Sequence, residues 1–216
     1  MTEAQWHNST DLTMMLEFLK GRRFARKFRL FACACCRRVW PLLTDTRSQR
    51  GIQVSERYAD GSATPRELRN AWEDARQVPF LVGNLGTDFA IAAAREVTTK
   101  SNPRQIALLV TGYVRNSSRY SGGNVKAEAK AQANLLRDMF GPLPYRAVRI
   151  DARWQSPTVV SIAQAIYDNC AFDRLPILAD TLEDAGCDDA DLLAHCRSGG
   201  EHVRGCWVVD LLLGKE

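Results

Sequence analysis

The sequence predicts a mainly α protein: a single irregular multi-helix domain of amphipathic helices over residues 1–216, with one short extended segment near 144–150. Three observations predict it. Apolar residues recur at three- and four-residue intervals through most of the chain, the spacing that gathers them on one helix face. The segments so patterned are separated by Gly, Pro, Asn and Asp punctuation. Three of them open on a cap residue followed by proline, at Thr64-Pro65, Asn102-Pro103 and Ser156-Pro157. Proline suits that place because the N–H it lacks has no helical partner in the first turn.

In chain order, Thr10 or Asp11 caps a helix that runs to Leu19 and stops at Gly21. A long helix covers about 24–43, and another about 47–58, ended by ADGSA at 59–63. Thr64 with Glu67 forms the reciprocal pattern of a capping box, and the helix it starts ends before Pro79. Further helices fall at 87–99, 103–116 and 125–140. Between them, NSSRYSGGN at 116–124 reads as the most loop-like stretch, and PYRAVRI at 144–150 as the clearest extended one. Candidate subdomain breaks lie within 116–124 and 141–156. Ser156 caps the next helix, and short helices follow at 174–186 and 188–197. The closing CWVVDLLL, 206–213, is apolar on nearly every side, so periodicity does not separate buried helix from buried strand. Helix is favoured, because a lone strand lacks partners.

With 216 residues and 45% hydrophobic side chains, the chain can bury an ordinary core. Charged residues at 25% and aromatics at 8% exclude disordered, fibrous and collagen-like classes. The opening MTEAQWHNST has neither the basic start nor the apolar stretch of a signal peptide, and no run approaches the roughly 18 apolar residues that span a bilayer. No membrane partner is expected. Seven cysteines, three of them crowded at Cys33, Cys35 and Cys36, do not suit a disulfide framework, so reduced thiols and a cytoplasmic location are expected. The net charge of +4 hides an asymmetry: residues 1–58 hold eleven Lys/Arg against five Asp/Glu, and residues 168–216 hold four against eleven. Such polarity either draws an anionic partner or lets the two ends attract each other.

Two places carry candidate chemistry. On a helix at about 100° per residue, Phe24, Phe28, Phe31, Cys35, Val39 and Leu42 form one stripe, which is core. Arg22, Arg26, Arg29 and Arg37 fall opposite, with Trp40 near them, a face able to contact phosphates and stack a base of a nucleic acid. It is equally an ordinary solvated face. Cys33 lies among these arginines, which would favour its thiolate and make it a candidate reactive thiol if it is exposed. The second place is Cys187, His195, Cys196, His202 and Cys206, five zinc-ligand residue types within twenty positions. Their spacing matches no standard finger, and buried structural thiols explain them as well. No phosphate loop, dinucleotide fingerprint, H-E-x-x-H or G-x-S-x-G occurs. Of the carboxylates, Asp168, Asp173 and above all Asp210 inside its apolar run call for a partner.

The opening MTEAQWHNSTDLTMMLEFLKGRRFARKFRLFACACCRRVW and the closing HVRGCWVVDLLLGKE resemble a family of short, multi-copy planctomycete proteins with no known activity. The resemblance covers roughly the first 60 and last 50 residues. It implies a recurring stand-alone module with fixed ends, and it carries over no cofactor or catalytic residue. The sequence therefore leads to a non-catalytic helical protein-interaction module without cofactor, its protein partner unidentified. The alternative is a zinc-stabilised or nucleic-acid-binding helical domain, using the C-terminal Cys/His cluster for Zn2+ and the arginine face for phosphate.

Overall fold

The computed structural model describes residues 1–20, 24–142, 144–146 and 148–215. They form a mainly α, irregular multi-helix protein, with no strand among the described residues. The chain divides into two compact units, Met1–Leu135 and Leu136–Glu216. The division falls inside a helix, between the two breaks that glycine and proline punctuation suggests.

The first unit contains α1 (Glu3–Asn8), α2 (Leu12–Phe18), α3 (Ala25–Arg38), α4 (Thr46–Ala59), α5 (Pro65–Arg76), α6 (Leu85–Glu96), α7 (Pro103–Tyr120) and most of α8 (Val125–Phe140). Its starts follow the predicted chemistry: Asp11 accepts the Met14 amide at 3.0 Å, and Thr64 and Glu67 make the reciprocal capping box. α1 escapes the periodicity reading, although Thr2 and Gln5 cap it in the same way and Trp6 is fully buried. α7 packs on α6 and α3, and α4 packs on α3 and α5. Phe31, Cys35, Ile52, Leu68, Ile106 and Val110 are wholly buried there, each such side chain contributing about 1.5–3 kcal/mol over exposure.

Two boundaries differ from expectation for identifiable reasons. α3 ends at Arg38, and Trp40–Leu42 continues as a 3-10 turn. Pro41 has no N–H to extend the α ladder. α7 runs to Tyr120, so 116–120 is helix instead of loop. There the Ser117 hydroxyl, fully buried, donates to Gly86 O at 2.7 Å and ties the end of α7 to the start of α6.

The second unit takes the last turn of α8, then α9 (Pro157–Asn169), α10 (Leu175–Asp184), α11 (Ala190–Arg197) and α12 (Trp207–Leu212). Its core joins Val159, Ile166, Leu178, Leu182, Leu192 and Val209 with Cys187, Cys196 and Cys206. The segment at 144–150 forms no strand among its described residues, since no second strand is there to pair with it; Ala147 lies outside them. The apolar run near the end is helix, α12, whose ladder begins with Asp210 N–H donating to Cys206 O at 2.9 Å. No helix among the described residues is long and apolar enough to cross a membrane.

Candidate metal centre

Four side chains of the second unit converge: Asp138 in the last turn of α8, His195 in the last turn of α11, His202 in the segment after it, and Cys206 as the N-cap of α12. Local structure sets up each one. α11 stops at Ser198, whose backbone turns extended and whose hydroxyl donates to His195 O at 2.8 Å. The chain then returns so that the Val203 amide donates to Asp138 Oδ2 at 3.0 Å, fixing the carboxylate and leaving Oδ1 to face the histidines. The Cys206 amide donates to Val203 O at 2.9 Å, which seats its sulfur in the core.

His195 Nε2 lies 3.2 Å from Cys206 Sγ and 3.2 Å from Asp138 Oδ1. His202 Nδ1 lies 2.6 Å from the same Oδ1, and all four donor atoms sit within 4.8 Å of one another. A zinc ion bound at about 2.0–2.3 Å by O, N and S donors has tetrahedral edges of about 3.3–3.6 Å. The Nε2–Oδ1 separation of 3.2 Å is close to such an edge, the Nε2–Sγ separation is about 0.3 Å short of one, and the wider pairs, up to 4.8 Å, would have to close by about 1.2 Å. The 2.6 Å contact is a hydrogen bond, which an ion would open by about 0.7 Å.

The proton placement is informative. His202 Nδ1 faces a carboxylate, while its Nε2 faces Ser198 O and Oγ, both at 3.2 Å. The Ser198 hydroxyl lies 2.8 Å from His195 O and 3.2 Å from His202 Nε2, and can donate to either. With that hydroxyl turned to His195 O, both ring nitrogens face acceptors, the arrangement of a doubly protonated ring or of one that holds a cation at Nδ1. Burial drives the His202 pKa down, but the hydrogen bond and charge of Asp138 more than reverse it, and the net shift is upward. Burial likewise pushes the Asp138 carboxyl up, yet hydrogen bonds from His195 and His202 hold it below the ordinary range. Cys206 is fully buried, and burial, then the Asp138 charge, raises its thiol well above normal. Without a metal, these directions favour a buried carboxylate against a protonated His202 ring, beside a neutral thiol. A divalent ion with the Asp138 carboxylate and a Cys206 thiolate would be electrically neutral, the condition under which buried charge is tolerated.

The Cys206–His195 contact is not arranged as a nucleophile and base. One nitrogen, Nε2, faces both the sulfur and the carboxylate, whereas a relay uses opposite nitrogens of the ring. The four donor atoms form one cluster. Trp207, 2% exposed, walls it, with its ring 5.2 Å from that of His195.

Of the five residues in the predicted zinc cluster, His195, His202 and Cys206 come together, and Cys187 and Cys196 do not. Both of these pack in the apolar core, where burial raises the Cys187 thiol and brings that of Cys196 to about 12. Cys196 follows His195 on α11, and about 100° of rotation turns it to another side. The converging residue missed from sequence is Asp138. Its signal was a carboxylate inside the apolar turn LLRDMF, the same argument that drew attention to Asp210.

The N-terminal candidates need correction. Cys33 is fully buried, its thiol raised to about 12 by desolvation and the Glu56 charge despite Arg29 and Arg37, so the exposure that a reactive thiol requires is not met. α4 covers it, with Ile52 O 3.9 Å from its sulfur. Nor is the arginine face a free surface. Arg29 is 4% exposed and donates to Val97 O at 2.7 Å and Thr99 O at 3.1 Å. Arg26 pairs with Asp60 at 3.0 Å, and Arg37 grips Glu56 through two bonds of 2.9 and 2.7 Å while covering the Trp40 ring at 4.4 Å. Arg22 lies outside the described residues. Neighbouring helices bring carboxylates and carbonyls to a face that a lone helix would leave to solvent.

Comparison with known protein families, with characterised proteins and with solved structures finds no match to this chain.

Proposed function

We propose that the protein is a non-catalytic helical module whose C-terminal unit is held together by one Zn2+, bound by Asp138 Oδ1, His195 Nε2, His202 Nδ1 and Cys206 Sγ. The observation that carries this reading is the convergence of four donor atoms of zinc-ligand type within 4.8 Å, with His202 facing acceptors through both nitrogens. Mixed oxygen, nitrogen and sulfur donors suit zinc better than calcium or magnesium, which take oxygen. Four protein ligands fill a tetrahedral shell, the mark of a structural ion. The ligands join the end of α8, the end of α11 and the start of α12, so the ion would staple three separate pieces of a small unit. Seven free cysteines and a thiolate ligand fit a reducing compartment such as the cytoplasm.

The test is metal content after purification without a metal-binding tag, followed by melting with and without chelator. About one zinc per chain is expected, with loss of zinc lowering the melting temperature and Asp138→Ala abolishing both zinc retention and that shift. Cobalt substitution should give the visible spectrum of a tetrahedral ion with a thiolate ligand. Failure to take up zinc when it is supplied to the reduced protein, with a melt indifferent to chelator, overturns the proposal.

A further inference from the structure

In the N-terminal unit, Arg26, Arg29, Arg37 and Arg38 of α3 are met by carboxylates and carbonyls of other segments. The outer side of α4 is different. It borders a cleft of about 530 Å³, to which α5 contributes Asp74. Thr46, Arg50, Gln53 and Arg57 recur at three- and four-residue intervals, so they share one stripe along that cleft, and all four are exposed. Arg50 and Arg57 stand about 10.5 Å apart along the helix axis, with Gln53 between them.

Several polar groups of this cleft have no protein partner to give up. Among the described residues, the side chains of Thr46, Arg50 and Gln53 make no hydrogen bond or ion pair, and no hydrogen bond reaches the Asp74 carboxylate, which acts on Arg47 through charge alone. Arg57 makes one exposed contact of 3.4 Å with Glu67, whose carboxylate is held at 2.7 Å by the Thr64 amide, so most of the Arg57 donors are unused. Arg47 is already gripped by Asp45 through bonds of 3.0 and 2.7 Å, and the Gln49 amide donates to Leu43 O at 2.7 Å, leaving its own carbonyl to the cleft. Behind them the wall is fixed. Val54 is 4% exposed, and a Cβ at Gly51 would meet Thr98 Cγ2 at 3.0 Å, so α4 sits tightly on its neighbours. A helix so packed adds no backbone ordering to the cost of binding.

These groups select a class of ligand. Two guanidinium forks on either side of a carboxamide donor suit a phosphate, whose oxygens accept charge-assisted and bidentate bonds. The cleft has the size that holds a small molecule, far more than one phosphate fills. What remains of its lining is the Thr46 hydroxyl, the Gln49 carbonyl and the Asp74 carboxylate, which are acceptors for hydroxyl groups, with Val54 as the apolar floor. No aromatic ring lines it, so a nucleobase would find nothing to stack on.

We infer that this cleft binds a phosphate monoester of a small polyhydroxylated molecule, a sugar phosphate in chemical class, with Arg50, Gln53 and Arg57 on the phosphate and Thr46, Gln49 and Asp74 on the hydroxyls. The carboxylate then has a purpose that a bare anion site would not give it. The inference is independent of the zinc reading, since every residue in it belongs to Met1–Leu135.

Titration of the full chain at low ionic strength, followed by amide chemical shifts, tests it with glucose 6-phosphate, ribose 5-phosphate, inorganic phosphate and glucose as probes. At least one sugar phosphate should bind with a dissociation constant of about 1 mM or below, inorganic phosphate more weakly, and glucose not measurably. Arg50→Gln and Arg57→Gln should each weaken the sugar phosphate about tenfold or more, the loss expected of a hydrogen bond to a charged group. Arg153→Gln, which removes the same charge from an exposed place in the other unit, should change nothing. Asp74→Ala should weaken the sugar phosphate and leave inorganic phosphate as tight or tighter, because removing a carboxylate favours any anion. Circular dichroism would show all four variants folded. No binding of either sugar phosphate at about 10 mM overturns the proposal. So does binding indifferent to Arg50→Gln, or inorganic phosphate as tight as both sugar phosphates with Asp74→Ala weakening none, which would mean an anion site only.

Discussion

Gly141→Ala should damage the C-terminal unit far more than a single methyl group suggests. Gly141 follows α8 with φ +47°, a left-handed conformation that costs an L-residue about 1–2 kcal/mol. A Cβ built there would lie 2.6 Å from both Cδ1 and Nε1 of Trp207, a ring 2% exposed and backed by His195. Overpacking of this kind costs about 1–3 kcal/mol, because a buried indole moves only by displacing its neighbours. Together the expected loss is about 2–5 kcal/mol, at about 4–8 °C of melting temperature per kcal/mol in a domain this size. Gly214→Ala supplies the control: it too has positive φ, +64°, but nothing lies within 4 Å of the added atom, so only the backbone cost of about 1–2 kcal/mol applies. Urea unfolding of both variants in the presence of zinc separates the two contributions. Because the displaced ring leans on His195, zinc affinity should also fall in Gly141→Ala and hold in Gly214→Ala. Equal losses in the two variants would refute the reasoning, since the indole would then not constrain Gly141.

Three further outcomes are expected. In the native protein, a thiol reagent at neutral pH should modify Cys170 alone quickly, because it is the exposed cysteine and the other six are buried; all seven should react after unfolding, and a second fast thiol in the fold would contradict the burial. Replacing Arg29 by Met should cost about 2–4 kcal/mol in the N-terminal unit, by removing the donors to the Val97 and Thr99 carbonyls at the end of α6, and a neutral result in urea would mean that those bonds add nothing. The pH dependence of the metal-free protein follows from two opposite shifts. The lowered Asp138 pKa contributes stability above its unfolded value near 3.9 that is lost as pH falls through the folded one. The raised His202 pKa contributes stability that is fully present below about 6.5 and is lost as pH rises through its folded value. Chelator-treated protein should therefore be most stable between about pH 4 and 6.5, whereas zinc, by replacing the His202 proton, should remove the alkaline decline. A chelator-treated protein with equal stability at pH 5.5 and 8.5 would count against the imidazolium–carboxylate pair.

The sequence by itself determined most of the helices. Proline after a cap at Thr64, Asn102 and Ser156, and three- and four-residue apolar spacing, act within a turn or two of chain, so they are readable without knowing what packs where. The same locality made Cys35 a core residue and placed three of the four centre residues as candidates by type. Tertiary structure decided the rest, because it depends on what other segments bring. Asp138 reaches His202 across 64 positions, a distance over which no spacing rule operates. Cys33 lay among arginines on its own helix, a candidate reactive thiol if exposed, until α4 covered it and desolvation outweighed the arginines. Arg29 and Arg37 read as a basic face, until the carbonyls just past α6 and Glu56 met them. In each case a helical wheel reports which way a side chain leaves its own helix, while its protonation, partner and access to solvent are set by the surface that arrives opposite.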